Sequence, residues 1–264
     1  MKKLISALFV LVILSSVVFA QSISVGELAK LLNDDNVVII DARSASDYAK
    51  THIKGAVNLD VKTLSSKTPI EGILKSKTSL ASAFGKVGVS NSKTVVVYCK
   101  TGVRAGRMYW ILKYLGHKNV KILNGHMAAW FKGRKPVTSA KKTPKVATFT
   151  PAINSKIKAD KAYVKSKMNS ALLIDTRKKE DYDKGHIGKA INIPHKTLLV
   201  GESKLKSTSA LTTLFNAAGV TKGKEIILYC KTSTTASLVY FILTSQLGYT
   251  NVKVYDGAYL EWTN

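Results

Sequence analysis

The sequence VVVYCKT, residues 95–101, recurs 131 residues later as IILYCKT, residues 226–232. Each copy is a short run of β-branched and other apolar residues that stops at a cysteine, Cys99 or Cys230. An apolar run of this length is typical of a strand buried on both faces of a sheet. Because polar residues follow each cysteine, we predict a buried strand and then a cysteine-bearing loop, twice in the chain.

The repetition extends outward from these two strands. Residues 37–43, VVIIDAR, correspond to residues 171–177, ALLIDTR. The pattern D-Y-x-x-x-H-I-x-x-A-x-N of residues 47–58 returns in residues 181–192. Matches in the same order at nearly constant spacing indicate a tandem duplication of one domain.

The duplication places the domain boundaries. Near the end of each copy a glycine is followed five residues later by a tryptophan, as Gly125 and Trp130 and again as Gly257 and Trp262. We predict a first domain at residues 21–137 and a second at 152–264. The linker, residues 138–151, is rich in Lys, Thr and Ser and contains proline, which is typical of an extended connection.

Short apolar runs alternate with helix-like segments in both copies. Residues 36–41, 94–98 and 120–123 have the pattern of buried strands, and residues 104–115 have helical spacing. This alternation predicts an α/β fold in which each domain is a mostly parallel sheet flanked by helices. Asp41 and Cys99 then lie at the carboxyl ends of strands, where open parallel sheets form their binding sites.

The first 20 residues have the pattern of a secretory signal peptide. Lys2 and Lys3 precede an apolar stretch, and small residues lead up to Ala20, where we predict cleavage. A retained membrane anchor is the alternative, but the apolar stretch is shorter than the roughly 20 residues of a span. We therefore expect an exported, periplasmic protein.

The charge of the chain is strongly positive. The 41 Lys and Arg residues outnumber the 16 Asp and Glu residues and give a formal charge of +25. Nearly all of the excess is lysine, which indicates a solvated surface that attracts small anions. We expect no nucleic acid partner. The sequence shows no cluster with metal-ligand spacing and no glycine-rich phosphate loop.

The loop after Cys99 has the composition of a nucleophile site. Backbone N–H groups of a strand-to-helix loop can converge on one sulfur, and Lys100 and Arg104 add positive potential. These surroundings favour a thiolate and a bound anion. Two alternatives are a buried, inert cysteine and a disulfide between Cys99 and Cys230. His126, which follows Gly125, has Ala258 as its counterpart and is weak evidence for a site residue.

Together these motifs resemble the rhodanese family of sulfurtransferases in its tandem-domain form, over nearly all of the chain after residue 20. The resemblance implies that a loop cysteine takes a sulfane sulfur from an anionic donor such as thiosulfate and becomes a persulfide. The persulfide then passes the sulfur to cyanide or a thiol. No metal or organic cofactor takes part in that chemistry.

The resemblance also assigns roles to individual residues. Cys99 is the expected nucleophile, with Lys100 and Arg104 holding the donor and backbone N–H groups of the loop around Val103 facing the sulfur. Arg43 either contacts substrate or forms an ion pair with Asp41 or Asp47. The full set of predicted substrate-binding residues is Lys100, Thr101, Gly102, Val103, Arg104, Arg43, Lys231, Thr235 and Arg177.

The two loops differ in ways that rank the two cysteines. Cys99 to Arg104 is a six-residue loop, whereas the rhodanese-like phosphatases have seven, so sulfur transfer is favoured over phosphate hydrolysis. In the second loop Ser233 replaces Gly102, and serine resists backbone angles that glycine accepts. Thr235 replaces Arg104. We therefore expect Cys99 to be the first nucleophile and Cys230 the second.

The leading hypothesis is an exported sulfurtransferase that uses thiosulfate or polysulfide. A first alternative is a non-catalytic periplasmic carrier that delivers sulfur or an anion to a membrane-associated partner of sulfur metabolism. A second is a basic module that docks on an acidic membrane surface, a reading that depends on the charge alone.

Overall fold

The computed structural model describes residues 21–264. Residues 1–20, and with them the predicted signal peptide, lie outside the described residues. Across residues 21–264, every helix falls short of the length and apolar character that a membrane span requires.

The first domain is built on a parallel sheet with the strand order β1-β6-β5-β2-β4. Two further short strands, β3 and β7, pair with each other in antiparallel fashion. The strands are β1 (Ser22–Ile23), β2 (Val37–Asp41), β3 (His52–Ile53), β4 (Val57–Asn58), β5 (Thr94–Tyr98), β6 (Val120–Leu123) and β7 (Val137–Thr138), and the helices are α1 (Val25–Lys30), α2 (Ala45–Lys50), α3 (Lys77–Lys86), α4 (Val103–Tyr114) and α5 (His126–Lys132).

The second domain repeats this arrangement, with the parallel order β8-β14-β13-β9-β10. A hairpin of β11 and β12 replaces the antiparallel pair of the first domain. The strands are β8 (Lys158–Ala159), β9 (Leu172–Asp175), β10 (Ile191–Asn192), β11 (Leu199–Val200), β12 (Lys204–Leu205), β13 (Ile226–Tyr229) and β14 (Val252–Tyr255), and the helices are α6 (Lys161–Lys167), α7 (Lys179–Asp183), α8 (Thr208–Ala217), α9 (Thr234–Phe241) and α10 (Ala258–Thr263).

Burial on both faces explains why the central strands are continuously apolar. In β2, Val38 and Ile40 face one apolar cluster, while Ile39 between them faces another. Trp110 of α4 belongs to the first cluster and Trp130 of α5 to the second. Successive side chains of a strand point to opposite faces, so helices cover both sides of the sheet. The predicted α/β fold with two parallel-sheet domains is confirmed.

The two domains share one apolar core through helices α4 and α9. A Cβ atom added to Gly106 of α4 would lie 2.6 Å from the Cα of Leu238 in α9, so the helix backbones cross almost in contact. The linker, in contrast, lies extended along the first domain, where the Ala147 N–H donates to the Gly85 carbonyl at 3.0 Å. The helix crossing brings the two cysteine loops to the domain interface, because α4 and α9 each begin just after one of them.

Candidate active site

Each cysteine directly follows the central strand of its sheet. Tyr98 pairs with Asp41 and Tyr229 pairs with Asp175, so Cys99 and Cys230 leave their sheets at equivalent positions. Both cysteines are buried and neither forms a disulfide. The alternative of a disulfide between them is therefore wrong, and each thiol is available for chemistry of its own.

The Cys99 loop turns back over its own sulfur. The Gly102 N–H donates to the Cys99 Sγ at 3.1 Å, and helix α4 begins at the next residue, Val103. Burial raises the pKa of the Cys99 thiol, while N–H groups of residues such as Ala105 and Gly102 oppose the rise. Because burial is the larger effect, the thiol form of Cys99 is favoured in this structure.

The His126 imidazole packs against the Cys99 loop. Its Nδ1 accepts from the Cys99 N–H at 3.4 Å, and burial lowers the pKa of the imidazole to about 3. A Cβ atom on Gly102 would lie only 2.8 Å from His126 Nε2, so the ring occupies the space beneath this glycine. The neutral His126 is a packing partner of the loop, a role that its isolated position in the sequence did not reveal.

The Cys230 loop fills the equivalent space in another way. Ser233 adopts the left-handed conformation, with φ 63°, that Gly102 has in the first loop. The buried Ser233 hydroxyl lies within hydrogen-bond distance of the carbonyls of Tyr255 and Asp256, at 2.5 and 2.8 Å, and its single proton is shared between these two acceptors. Ala258, the counterpart of His126, is small enough to leave room for this side chain. Serine, which was expected to resist this conformation, is held in it by these contacts.

A cavity of about 310 Å³ opens on Cys230. Its wall carries several cationic side chains and the single carboxylate of Asp181. The cations and the imidazole are those of Arg177, Lys178, Lys196, Lys231 and His195, and Thr235 adds a hydroxyl. Lysine and arginine around one thiol in a concave site favour anionic ligands.

The predicted anion-binding residues of the Cys99 loop diverge from one another. Lys100 and Thr101 line a cavity of about 400 Å³ shared with the second domain, and Cys99 is not part of its wall. Arg104 lines a different cavity and lies 3.9 Å from Asp60. The sequence had indicated that Lys100 and Arg104 lie together over Cys99. In the structure they line separate cavities instead.

Arg43 and Arg177 form matching ion pairs at the ends of β2 and β9. The Arg43 guanidinium contacts Asp41 at 2.6 Å and the Thr51 carbonyl, and Arg177 contacts Asp175 at 2.5 Å in the same way. Of the alternatives for Arg43, the structure shows the pair with Asp41. Arg177 differs because it also lines the Cys230 cavity.

The domains brace each other's loops, a feature that the sequence did not reveal. Arg107 of α4 reaches across the interface to Asp256 at 2.7 Å and also donates to the Gly72 carbonyl. Asp256 accepts the Leu74 N–H of the first domain as well. The Cys230 loop is thereby tied to the first domain, since the Asp256 carbonyl holds Ser233.

The contact at the equivalent position of the first domain involves no charged side chain. There the Leu205 N–H donates to the side chain of Asn124, which corresponds to Asp256 in the repeat. Arg107 has Leu238 as its counterpart. The one signal in the sequence is that Arg107 is an arginine in a chain whose basic residues are nearly all lysine.

Among residues 21–264 there is no group of three or more His, Cys, Asp or Glu side chains that could hold a metal ion.

Comparisons with known proteins agree with this geometry. The rhodanese-like domain family matches residues 24–132 and 159–264. The 3-mercaptopyruvate sulfurtransferase of Escherichia coli strain K12 is 33% identical over 260 residues, covering 89% of this chain and 92% of the relative. The thiosulfate sulfurtransferase of Pseudomonas aeruginosa is 29% identical, covering 90% and 92%.

The fold comparison gives the same result. The crystal structure of the 3-mercaptopyruvate sulfurtransferase SseA from Escherichia coli superposes with a TM-score of 0.84 at 31% identity. The match covers 91% of this chain and 99% of that one. Two matched domains, a relative above 30% identity along most of the chain and a cysteine loop after each central strand lead to one conclusion: this protein belongs to the rhodanese family of sulfurtransferases.

Proposed function

We propose that the protein transfers a sulfane sulfur from thiosulfate or polysulfide to a thiol or cyanide, through a persulfide on Cys230. The observation that carries the proposal is the cavity of about 310 Å³ that contains Cys230 among cationic side chains. The order of the two cysteines is thereby reversed from the sequence expectation. Cys99 is placed second because neither of the two cavities beside its loop includes the cysteine itself.

The first half-reaction loads the sulfur. The Cys230 thiolate attacks the outer sulfur of thiosulfate, a new sulfur–sulfur bond forms, and the bond to the sulfonate sulfur breaks. Sulfite leaves with the electron pair, so no oxidant or reductant is needed. Lys231 and Lys196 offset the negative charge of donor and leaving group, and the start of α9 directs backbone N–H groups toward the same region.

The second half-reaction returns the enzyme to its starting state. A thiolate or cyanide attacks the outer sulfur of the persulfide, and the electron pair of the broken bond stays on Cys230. The thiolate that re-forms is held in the same cationic cavity. Thr235 stands where the first loop has Arg104. Its hydroxyl lies 2.7 Å from that of Thr176, and this hydrogen bond ties the Cys230 loop to the end of β9.

The choice of donor follows from charge. Thiosulfate carries two negative charges, whereas 3-mercaptopyruvate has one carboxylate. In the cavity Arg177 and Lys178 are paired with Asp175 and Asp181, which leaves Lys196 and Lys231 as the cations without a carboxylate partner in the described residues. We expect kcat/KM for thiosulfate to exceed that for 3-mercaptopyruvate at least tenfold, because the more highly charged ligand gains more from this field. Thiocyanate formation from each donor measures the ratio. A preference for 3-mercaptopyruvate would reject this donor assignment.

The same assay separates catalysis from carriage. A carrier that delivers sulfur to a membrane-associated partner would load one sulfur per chain without releasing thiocyanate repeatedly. Multiple turnovers support the enzyme. Absence of cyanide-labile sulfur after incubation of reduced protein with every sulfane donor would reject both functions.

We also propose that the protein works in the periplasm after removal of residues 1–20. The support is the basic start and apolar stretch of that segment. Cell fractionation of the full chain and of a chain that begins at Gln21 tests this, with the full chain expected in the periplasmic fraction at the shorter mass. Retention of the full-length chain in the membrane fraction would contradict it.

A further inference from the structure

A second cationic cavity lies between the domains, beside the one that contains Cys230. This interdomain cavity has a volume of about 480 Å³ and is lined by the segment 61–72 of the first domain, by Arg104 and Arg107 of α4, and by Thr232 and Thr234 of the Cys230 loop. Thr232 and Thr234 also line the Cys230 cavity. Two cavities therefore meet at one loop.

The interdomain cavity has a surplus of positive charge. Lys62, Lys67, Arg104 and Arg107 line it, and Glu71 is the one carboxylate in its wall. Between residues 21 and 264, no carboxylate lies within 4.0 Å of either lysine ammonium. The two ammonium groups are thus available to a ligand.

Arg107 forms the inner wall of the interdomain cavity. Its side chain is only 3% exposed, and its Nη2 donates to Gly72 and Asp256. Its Nη1 is buried, and no acceptor for it exists in the described part of the chain. A buried donor without an acceptor is unfavourable by roughly 1–3 kcal/mol. The guanidinium also lies over the Trp110 ring, 4.6 Å from its centroid, which fixes this wall of the cavity.

We propose that the interdomain cavity binds the carboxylates of an anionic thiol, the acceptor of the sulfur held on Cys230. The proposal rests on the proposed function, because it assigns one of the two neighbouring cavities to each substrate. The donor reaches Cys230 through the cavity that contains it, and the acceptor is anchored on the other side of Thr232 and Thr234. The volume lies within the roughly 300–1,000 Å³ that is usual for small-molecule sites.

The transfer step balances without a further reactant. The acceptor thiolate attacks the outer sulfur of the protonated Cys230 persulfide, and a bond forms between the two sulfurs. The bond to Cys230 Sγ breaks, and its electron pair remains on Cys230 as thiolate. The proton leaves with the transferred sulfur on the product persulfide.

Binding can be measured separately from transfer. S-methylglutathione carries two carboxylates but no thiol, so its affinity for the purified protein does not depend on persulfide chemistry. By calorimetry we expect the double variant Lys62→Gln/Lys67→Gln to bind it about tenfold more weakly than the wild type. Glu71→Gln is expected to bind about twofold more tightly, because a repelling carboxylate is removed.

A matched control separates this site from the general charge. Lys132→Gln/Lys165→Gln removes the same charge at exposed positions outside both cavities and is expected to leave the affinity within twofold of wild type. Equal weakening in both double variants would overturn the proposal and assign binding to the net charge. So would an unchanged affinity in Lys62→Gln/Lys67→Gln.

Steady-state kinetics supply the second readout. The Lys62→Gln/Lys67→Gln variant should show an approximately tenfold higher KM for glutathione and an unchanged KM for dithiothreitol, a neutral thiol. Loading of sulfur from thiosulfate should be unaffected. An equal rise of both KM values would overturn the proposal. Failure of the wild type to load sulfur on Cys230 would reject the proposed function, while the S-methylglutathione affinities would still decide whether the interdomain cavity binds carboxylates.

Discussion

The two cysteine loops occupy equivalent places in a duplicated fold, yet each supports its turn with different residues. In the first loop Gly102 has no side chain and the His126 ring fills the space beneath it. In the second loop Ser233 fills that space itself, and Ala258 stands where the histidine would be. The turn residue alone therefore does not decide whether a loop can adopt this conformation, because its packing partner changes with it.

The loops also differ in access and in support from the other domain. A cavity with four lysine or arginine side chains contains Cys230, and a buried ion pair between Arg107 and Asp256 braces that loop. Burial raises the pKa of Cys99, and its loop is braced by a neutral contact between Asn124 and Leu205. The cavity and the charged contact between the domains favour the second loop as the place of sulfur transfer.

The largest expected effect distinguishes the two cysteines directly. Cys230→Ser should lower thiosulfate-to-cyanide transfer at least about 10³-fold, because the sulfur nucleophile is lost. Cys99→Ser should retain activity within about threefold of wild type. Thiocyanate formation under saturating donor measures both. The reverse pattern would return Cys99 to the first place that the sequence indicated.

Removal of the buried interdomain ion pair tests the difference in support. Arg107→Met should destabilise the protein by about 3 kcal/mol in urea unfolding, near the lower end for a broken buried pair, because Lys158 still contacts Asp256 at 3.3 Å. Asn124→Ala, at the counterpart position, should lower the free energy of unfolding by about 1 kcal/mol. Equal losses in the two variants would show that the charged brace adds nothing.

Exchange of the turn residue tests the difference in packing. Gly102→Ser should lower the free energy of unfolding by about 2 kcal/mol, because the new Cβ would meet His126 Nε2 at 2.8 Å. In a double-mutant cycle with His126→Ala, the loss should be non-additive by about 1 kcal/mol or more. Additive losses would separate the two positions and refute the compensation inferred from the second loop.

The pH dependence of stability isolates the contribution of His126. Its pKa is lowered from 6.5 to about 3 by burial, so the unfolded chain binds a proton that the folded chain does not. Stability should therefore fall as the pH decreases from 6.5 toward 3. Between pH 7 and 5 the wild type should lose about 2 kcal/mol more than His126→Gln. Parallel stability curves for the two proteins would mean that the imidazole titrates normally.

The sequence was informative where a pattern repeats along the chain. The central strands and the helix after Cys99 were predicted close to their observed bounds, because continuous apolar runs and helical spacing are local signals. The duplication then extended the prediction of the central strands to the second domain. The fold class and the position of both cysteines at strand ends followed from these signals alone.

The sequence could not rank the two loops, because the deciding contacts join distant residues. The left-handed conformation of Ser233 is stabilised by the carbonyls of Tyr255 and Asp256, more than 20 residues away, and the small Ala258 leaves room for its side chain. Arg107 and Asp256 are 149 positions apart and belong to different domains. Lys100 and Arg104 looked like partners in the sequence but line different cavities.

The central claim is that the sulfur is carried on Cys230, and peptide mass spectrometry tests it most directly. The reduced protein is incubated with thiosulfate, persulfides and thiols are trapped by alkylation, and the two cysteine peptides are compared for the mass of one added sulfur. We predict that the sulfur is found on the Cys230 peptide at close to one per chain, with little on the Cys99 peptide. Sulfur on Cys99 alone, or equally on both cysteines, would contradict the claim.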